Sequence, residues 1–157
     1  MGSDVKIHAA CERDLDSVVG LLFQQLDQHS VQPPANRLRD AVGAVLRNKG
    51  LGFILTARTE SEVIGFVYVS FVWSMEHAGQ AGWLEEIHVT PEHRSAGVGE
   101  ALLKEALRQA TSEHCGAVDL EVDASHARAS ALYDRQGFIR LDRTRWVKKL
   151  FIPSDQH

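Results

Sequence analysis

An arginine and two spaced glycines stand just before an amphipathic stretch in Arg94-Ser95-Ala96-Gly97-Val98-Gly99-Glu100-Ala101. At a helix start several backbone N–H groups have no intrahelical partner, and the macrodipole adds partial positive charge there. Glycines let a phosphate approach those N–H groups closely, and an arginine adds a charge-assisted bond. A pyrophosphate-bearing ligand is one reading of the pattern; a helix start that needs unusual backbone angles is the other. A Walker loop would require Gly-x-x-x-x-Gly-Lys-Ser/Thr, which the chain lacks. The dinucleotide fingerprint would require a third glycine where Leu102 stands, within a βαβ unit.

Two further groups of residues can do chemistry. Glu85 and Glu86 are neighbours on a predicted strand, which sends them to opposite faces and leaves one of them for any single site. Asp119, Glu121 and Asp123 alternate on one face of another, opposite Leu120 and Val122. Carboxylates near a site attract a cation. For Asp119 an ordinary solvated strand face is the better reading, whereas Asp123 stands at the strand end. The cysteines, Cys11 and Cys115, form no disulfide scaffold, and no Cys/His cluster has zinc-ligand spacing, so no metal is expected.

The pattern Arg94-x-x-Gly97-x-Gly99-x-Ala101 closely resembles the acetyl-CoA signature of the GNAT superfamily of N-acetyltransferases. Residues 84–94, Leu84-Glu85-Glu86-Ile87-His88-Val89-Thr90-Pro91-Glu92-His93-Arg94, look like the strand that leads into it. Residues 129–138 look like the family's Ala-x-x-Leu-Tyr-x-x-x-Gly-Phe segment, with Tyr133, Gly137 and Phe138 in place. The two motifs stand in the family's order and at its distance. One position departs from the pattern: where many members carry an Asn seven residues before the tyrosine, this chain has His126. Imidazole can still donate a hydrogen bond, with a different shape and titration.

The resemblance implies acetyl transfer from acetyl-CoA, a co-substrate, to a primary amine by direct attack in a ternary complex. Such an amine has a lysine-like pKa of about 10.4 and must lose a proton before it attacks. The thioester oxygen calls for a backbone N–H, and the departing thiolate for a proton donor. The resemblance implies a bulge around Ile87–Val89 whose backbone, His88 included, holds the pantetheine and polarises the acetyl oxygen. It places residues 94–101 on the pyrophosphate, His126 beside the pantetheine arm, and Tyr133 beside the sulfur as general acid. It selects Glu85, four before Val89, as base or substrate holder, directly or through a water. Glu86 ranks below it as a second substrate contact; His88 is a weaker base, and His93 reads as a solvated turn residue.

For the acceptor, a small cationic amine such as a polyamine, aminoglycoside or amino-acid derivative leads over a protein lysine or N-terminus. Residues 26–35 and 73–83 should shape its pocket, with Trp73 and Trp83 as candidate wall and Asp123 at the gap. The rival reading is a non-catalytic acyl-CoA-binding module, whose mark would be loss of the tyrosine and the base; both are present. An amine carried on a nucleic acid is the third, and the charge opposes it.

The elements must hold these groups in place. Val5, Ile7 and Ala9 alternate as a short strand, and Leu15, Val18, Val19, Leu22 and Leu26 follow at helical spacing. Pro33-Pro34 breaks that helix, and Leu38, Ala41, Val42 and Val45 restart the period until Gly50. Strands are predicted at 51–58, 63–73 and 83–90, with a loop over 75–80. A helix from Val98 follows, then a strand near 117–123 and a helix over 126–136 that stops at Gly137. Strands near 138–142 and 145–151 complete the order β-α-α-β-β-β-α-β-α-β-β. The expected fold is therefore α+β. The resemblance makes it a GNAT fold, with a mixed, mostly antiparallel sheet of about seven strands and four helices on its faces. GNAT domains often pair, so the edges of the late strands suggest a homodimer.

At 157 residues and 17.4 kDa the chain is expected to be one domain over 1–157. With 44% hydrophobic and 24% charged residues it has carbon for a core and too little charge for disorder. The formal net charge of −4 lacks the basic excess of a phosphodiester binder, so no nucleic-acid partner is expected. No apolar run approaches the ~18 residues of a spanning helix, and no membrane partner is expected. The start lacks the basic and apolar regions of a signal peptide, and Lys6 stands where a myristoylation signal wants Ser or Thr. A cytoplasmic location is the expectation.

Overall fold

The computed structural model describes residues 4–28, 33–123 and 125–150. Five strands form one sheet in chain order: β1 (Lys6–Ala9), β2 (Gly52–Arg58), β3 (Val63–Ser74), β4 (Gly79–Val89) and β5 (Val118–Leu120). The first four pair antiparallel and β5 pairs parallel with β4. Helices α1 (Leu15–Gln28) and α2 (Ala35–Arg47) separate β1 from β2; α3 (Val98–Ser112) and α4 (Ala127–Arg135) flank β5. Among the described residues no helix is long and apolar enough to cross a membrane.

The near-continuous apolar run of β3 reflects burial on both faces of the sheet. Successive side chains alternate, so Val67 and Val69 join Leu55, Leu84 and Val89 against Leu102, Leu103 and Ala106 of α3. Ile54 and Phe66 point the other way, onto Val18, Leu21 and Leu22 of α1 and Val42 of α2. Pro34 stands just outside α2, where its missing N–H costs no helical bond.

Two expectations need correction. β4 starts at Gly79, so the predicted loop over 75–80 shrinks to a turn at Met75–Ala78. The sheet has five strands among the described residues, not seven: 138–150 form no ladder, and residue 151 of the last predicted strand lies outside the described residues. Alternation is a local signal, and a strand also needs an edge to pair with. The three-residue β5 offers about 10 Å of edge, at roughly 3.3 Å per residue.

Candidate active site

The register between β3 and β4 breaks at one point. Tyr68 lies opposite Glu86 and Val69 opposite Leu84, so Glu85 is an extra residue in β4, a β-bulge. A bulge cancels the alternation that should separate neighbours. Glu85 and Glu86 therefore line the same cavity, with Tyr68, on the α1–α2 face. The expectation that only one of them looks into a site is overturned, and the bulge lies at Glu85 instead of around Ile87–Val89, which pair regularly with Val67–Gly65.

The Ser70 hydroxyl donates to Glu85 Oε1 at 3.0 Å. Burial raises the Glu86 carboxyl above its usual range; a bond from Gln25 opposes that, and the charge of Glu85 adds to it. Burial, then Glu85, raise the Tyr68 phenol as well. Pairing of β4 with β5 covers only Gly82–Leu84 against Val118–Leu120. The strands part next to the bulge, and residues 121–123 continue outside the sheet. The gap opens beside the two carboxylates.

His88 is buried on the α1 side, its ring nitrogens 3.0 Å from Gln25 Oε1 and 3.2 Å from Gln24 Oε1. Burial, with the Arg94 charge second, lowers its pKa to about 4, so the ring is neutral near pH 7. It ties α1 to β4. His93 lies 2.9 Å from the Thr90 hydroxyl in the turn that follows β4. The Arg94 guanidinium folds back, donating from Nε to the Val89 carbonyl at 3.0 Å and from Nη2 to Gln28 at 3.4 Å.

Beyond Arg94 the backbone is unusual at Ser95 (φ 69°) and at Gly97 (φ 80°), which precedes α3. Gly97 answers to that left-handed conformation. Gly99 does not: its φ is ordinary, and a Cβ there would meet nothing nearer than Val89 at 3.9 Å. The first helical bond runs from Ala101 N–H to the Gly97 carbonyl at 3.0 Å. Val98, Gly99 and Glu100 thus carry N–H groups that precede the helical ladder, while the Val98 side chain anchors the turn in the core. Sequence reasoning missed Arg128, whose Nη2 donates to Ser95 Oγ across 2.6 Å. A basic residue two after His126 was the available signal. The Glu100 carboxylate holds α4, accepting from Gln136 at 2.8 Å with Arg135 3.7 Å away.

Tyr133, on α4, packs edge-on against Phe138 at 5.7 Å and borders the α3-side core. Burial raises its phenol above the usual value, so it stays protonated at neutral pH. His126 caps α4, its N–H donating to the Asp123 carbonyl at 2.9 Å. Asp123 is exposed next to the gap, whereas Asp119 is engaged 2.8 Å from His77. Trp73 and Trp83 stand apart from the carboxylate cavity. Trp73 is 73% exposed near the β3–β4 turn, and Trp83 lies under the Arg145 guanidinium at 5.9 Å. Of the expected pocket segment 26–35, Leu26 lines the cavity and residues 29–32 lie outside the described residues. The wall that sequence reasoning missed belongs to α2 and β3.

A bulged strand, a parted parallel pair and a glycine-opened helix start thus follow one another along β4 and the turn that leads from it into α3. The sequence model of the Acetyltransferase (GNAT) family matches residues 17–138. This chain belongs to the GNAT family.

Among its relatives is the mycothiol acetyltransferase of Paenarthrobacter aurescens (strain TC1), 34% identical over 96 residues, covering 58% of this chain and 28% of that protein. The chain thus spans little more than a quarter of that relative's length. The aminoalkylphosphonate N-acetyltransferase of Salmonella typhimurium (strain LT2) is 27% identical over 131 residues, 83% of this chain and 82% of that one. The same fold occurs in aminoglycoside N-acetyltransferase AAC(6')-Iy in complex with CoA, with TM-score 0.81 at 20% identity, covering 95% and 97% of the two chains. In this GNAT chain the helix start at Gly97–Ala101 has donors and open space for a pyrophosphate, which fits acetyl-CoA.

Proposed function

We propose that the chain transfers an acetyl group from acetyl-CoA to a primary amine on a small molecule, with both substrates bound together. Gly99 carries the reading. Neither its backbone angle nor its neighbours require glycine, so the space above the α3 N-terminus serves close approach by a ligand. Bound acetyl-CoA supplies an activated acyl group. The N–H groups of Val98, Gly99 and Glu100 hold its pyrophosphate, with Arg94 and Arg128 at the rim. The backbone of Ile87–Val89 and His126 lie along the pantetheine path between β4 and β5.

Glu85 accepts a proton from the incoming ammonium, directly or through a water, and passes it to solvent. Glu86 holds the amine beside it. The nitrogen then bonds to the acetyl carbon as the carbon–sulfur bond breaks, and Tyr133 donates to the leaving sulfur. The second proton lost by nitrogen restores the phenol. An ammonium and a thioester give an amide, a thiol and one proton to solvent. The mycothiol and aminoalkylphosphonate enzymes are named for small molecules, which supports a small acceptor over a protein.

The proposal extends to the setting of the molecule. We read 1–157 as one domain, cytoplasmic because Cys11 and Cys115 are both free, and working as a homodimer. The pairing rests on the exposed apolar side chains of residues 139–150. Release of CoA in the presence of a panel of amines tests the main claim. Turnover with at least one amine supports it; tight acetyl-CoA binding with no turnover favours a non-catalytic module.

A further inference from the structure

The cavity beside Glu85 and Glu86 has a composition that narrows the acceptor. It occupies about 210 Å³ between α1, α2 and the sheet, and its twelve lining residues include three polar ones, Tyr68, Glu85 and Glu86. The rest are aliphatic or aromatic, among them Leu22, Leu38, Val42 and Phe66. Its one charged end is therefore the bulge. An apolar cavity of about 150 Å³ already accommodates a benzene ring. Another 60 Å³ leaves room for a short linker reaching from a ring to the carboxylates.

We propose, on the reading of the chain as an amine acetyltransferase, that the acceptor is a monoamine with an apolar body. A phenyl ring on a two-carbon linker, or an alkyl chain of about six carbons, enters the cavity while its ammonium meets Glu85, Glu86 and the Tyr68 hydroxyl. Polyamines and aminoglycosides match this shape poorly. Each carries further ammonium groups, and one pushed among Leu38, Val42 and Phe66 would be desolvated with no partner. The carboxylate pair suits the single ammonium: two like charges, one of them half-buried, gain from a cation between them. The bulge is what puts both there, so acceptor charge and acceptor shape come from one feature of β4.

Binding is measured by calorimetry on the full chain without acetyl-CoA, using phenethylamine, hexylamine, propylamine, hexanol and spermidine. Each buried methylene contributes roughly fourfold to affinity, so hexylamine should bind at least tenfold tighter than propylamine. Hexanol, which has no charge, and spermidine, which has too many, should both bind more weakly than hexylamine. The values of kcat/KM with acetyl-CoA should follow the same order. Ala41→Phe, at the exposed rim of the cavity, should cut the hexylamine-to-propylamine ratio about tenfold, and Val45→Phe provides the same test from a second wall position.

Spermidine binding more tightly than hexylamine overturns the proposal, as does a chain-length ratio unmoved in both folded variants. Failure of the acetyl-transfer reading shows differently, as no CoA release with any amine. The calorimetric order is read without the co-substrate and decides the cavity's ligand on its own.

Discussion

In the proposed reaction Tyr133 donates to the leaving group, and its burial sets how much it can contribute. A thiol titrates near 8.5 and a free phenol near 10, and burial lifts the phenol further. Proton transfer to the thiolate is then uphill, so the gain belongs at the low end of the ~10²–10⁴-fold span of general acid catalysis. Tyr133→Phe keeps the edge-on contact with Phe138. It is expected to lower kcat and kcat/KM together by about 10²-fold while leaving the acetyl-CoA dissociation constant in place, as steady-state kinetics and calorimetry will read. His88 makes a different prediction. Its folded pKa of about 4 lies below the unfolded value near 6.5, so between those values the unfolded chain binds more protons. The stability it confers is complete above about pH 6.5 and is lost as pH falls toward 4, on the order of 3 kcal/mol over the window. Urea unfolding across that range should show the slope, and His88→Gln should flatten it. The position of Tyr133 on a helix that stops before Gly137 was legible because that motif is local. The shared cavity of Glu85 and Glu86 was not, since a bulge is a property of the pairing with β3 and no residue type in β4 announces it.

The helix start at Gly97–Ala101 shows what spacing can and cannot say. In sequence, two glycines before an amphipathic run fit a phosphate cradle or a strained turn equally. The structure separates the two glycines: Gly97 takes the left-handed conformation, and Gly99 only leaves space. A side chain at Gly99 should therefore be tolerated by the fold and opposed by the ligand. Gly99→Val is expected to weaken acetyl-CoA at least tenfold in calorimetry while changing unfolding free energy by no more than about 1 kcal/mol, the scale of the helix-propensity difference. Unchanged affinity in the folded variant would remove the cradle. Helices α1 to α3 were readable from their apolar stripes to within a few residues, because each stripe is buried on one face of the sheet. The late strands were misread for the converse reason. Alternation in 138–150 is present in the sequence, yet β5 ends at Leu120 and leaves them no ladder to join.

That unladdered segment carries five of the ten exposed large apolar side chains among the described residues. Trp146 is 89% exposed, Ile139 84% and Val147 79%, a density of bare apolar side chains that a solitary soluble domain seldom carries. The segment is held to its own domain by ion pairs, Arg143 to Glu76 at 2.9 Å and Arg145 to Glu121 at 3.3 Å. Exposed pairs of this kind contribute about 0–1 kcal/mol each. Five basic residues against Asp142 give residues 138–150 a charge of +4, which leaves −8 on the remainder of a chain whose total is −4. A second copy thus offers a surface of opposite charge as well as apolar side chains to cover. The native protein is expected to sediment as a dimer at micromolar concentration, more weakly as salt rises because the steering charges are screened. Trp146→Ser should shift it to monomer while far-UV circular dichroism and the unfolding midpoint stay close to native, since that side chain supports nothing within its own domain. A native protein that sediments only as monomer at those concentrations would leave the apolar face of 139–150 without this partner.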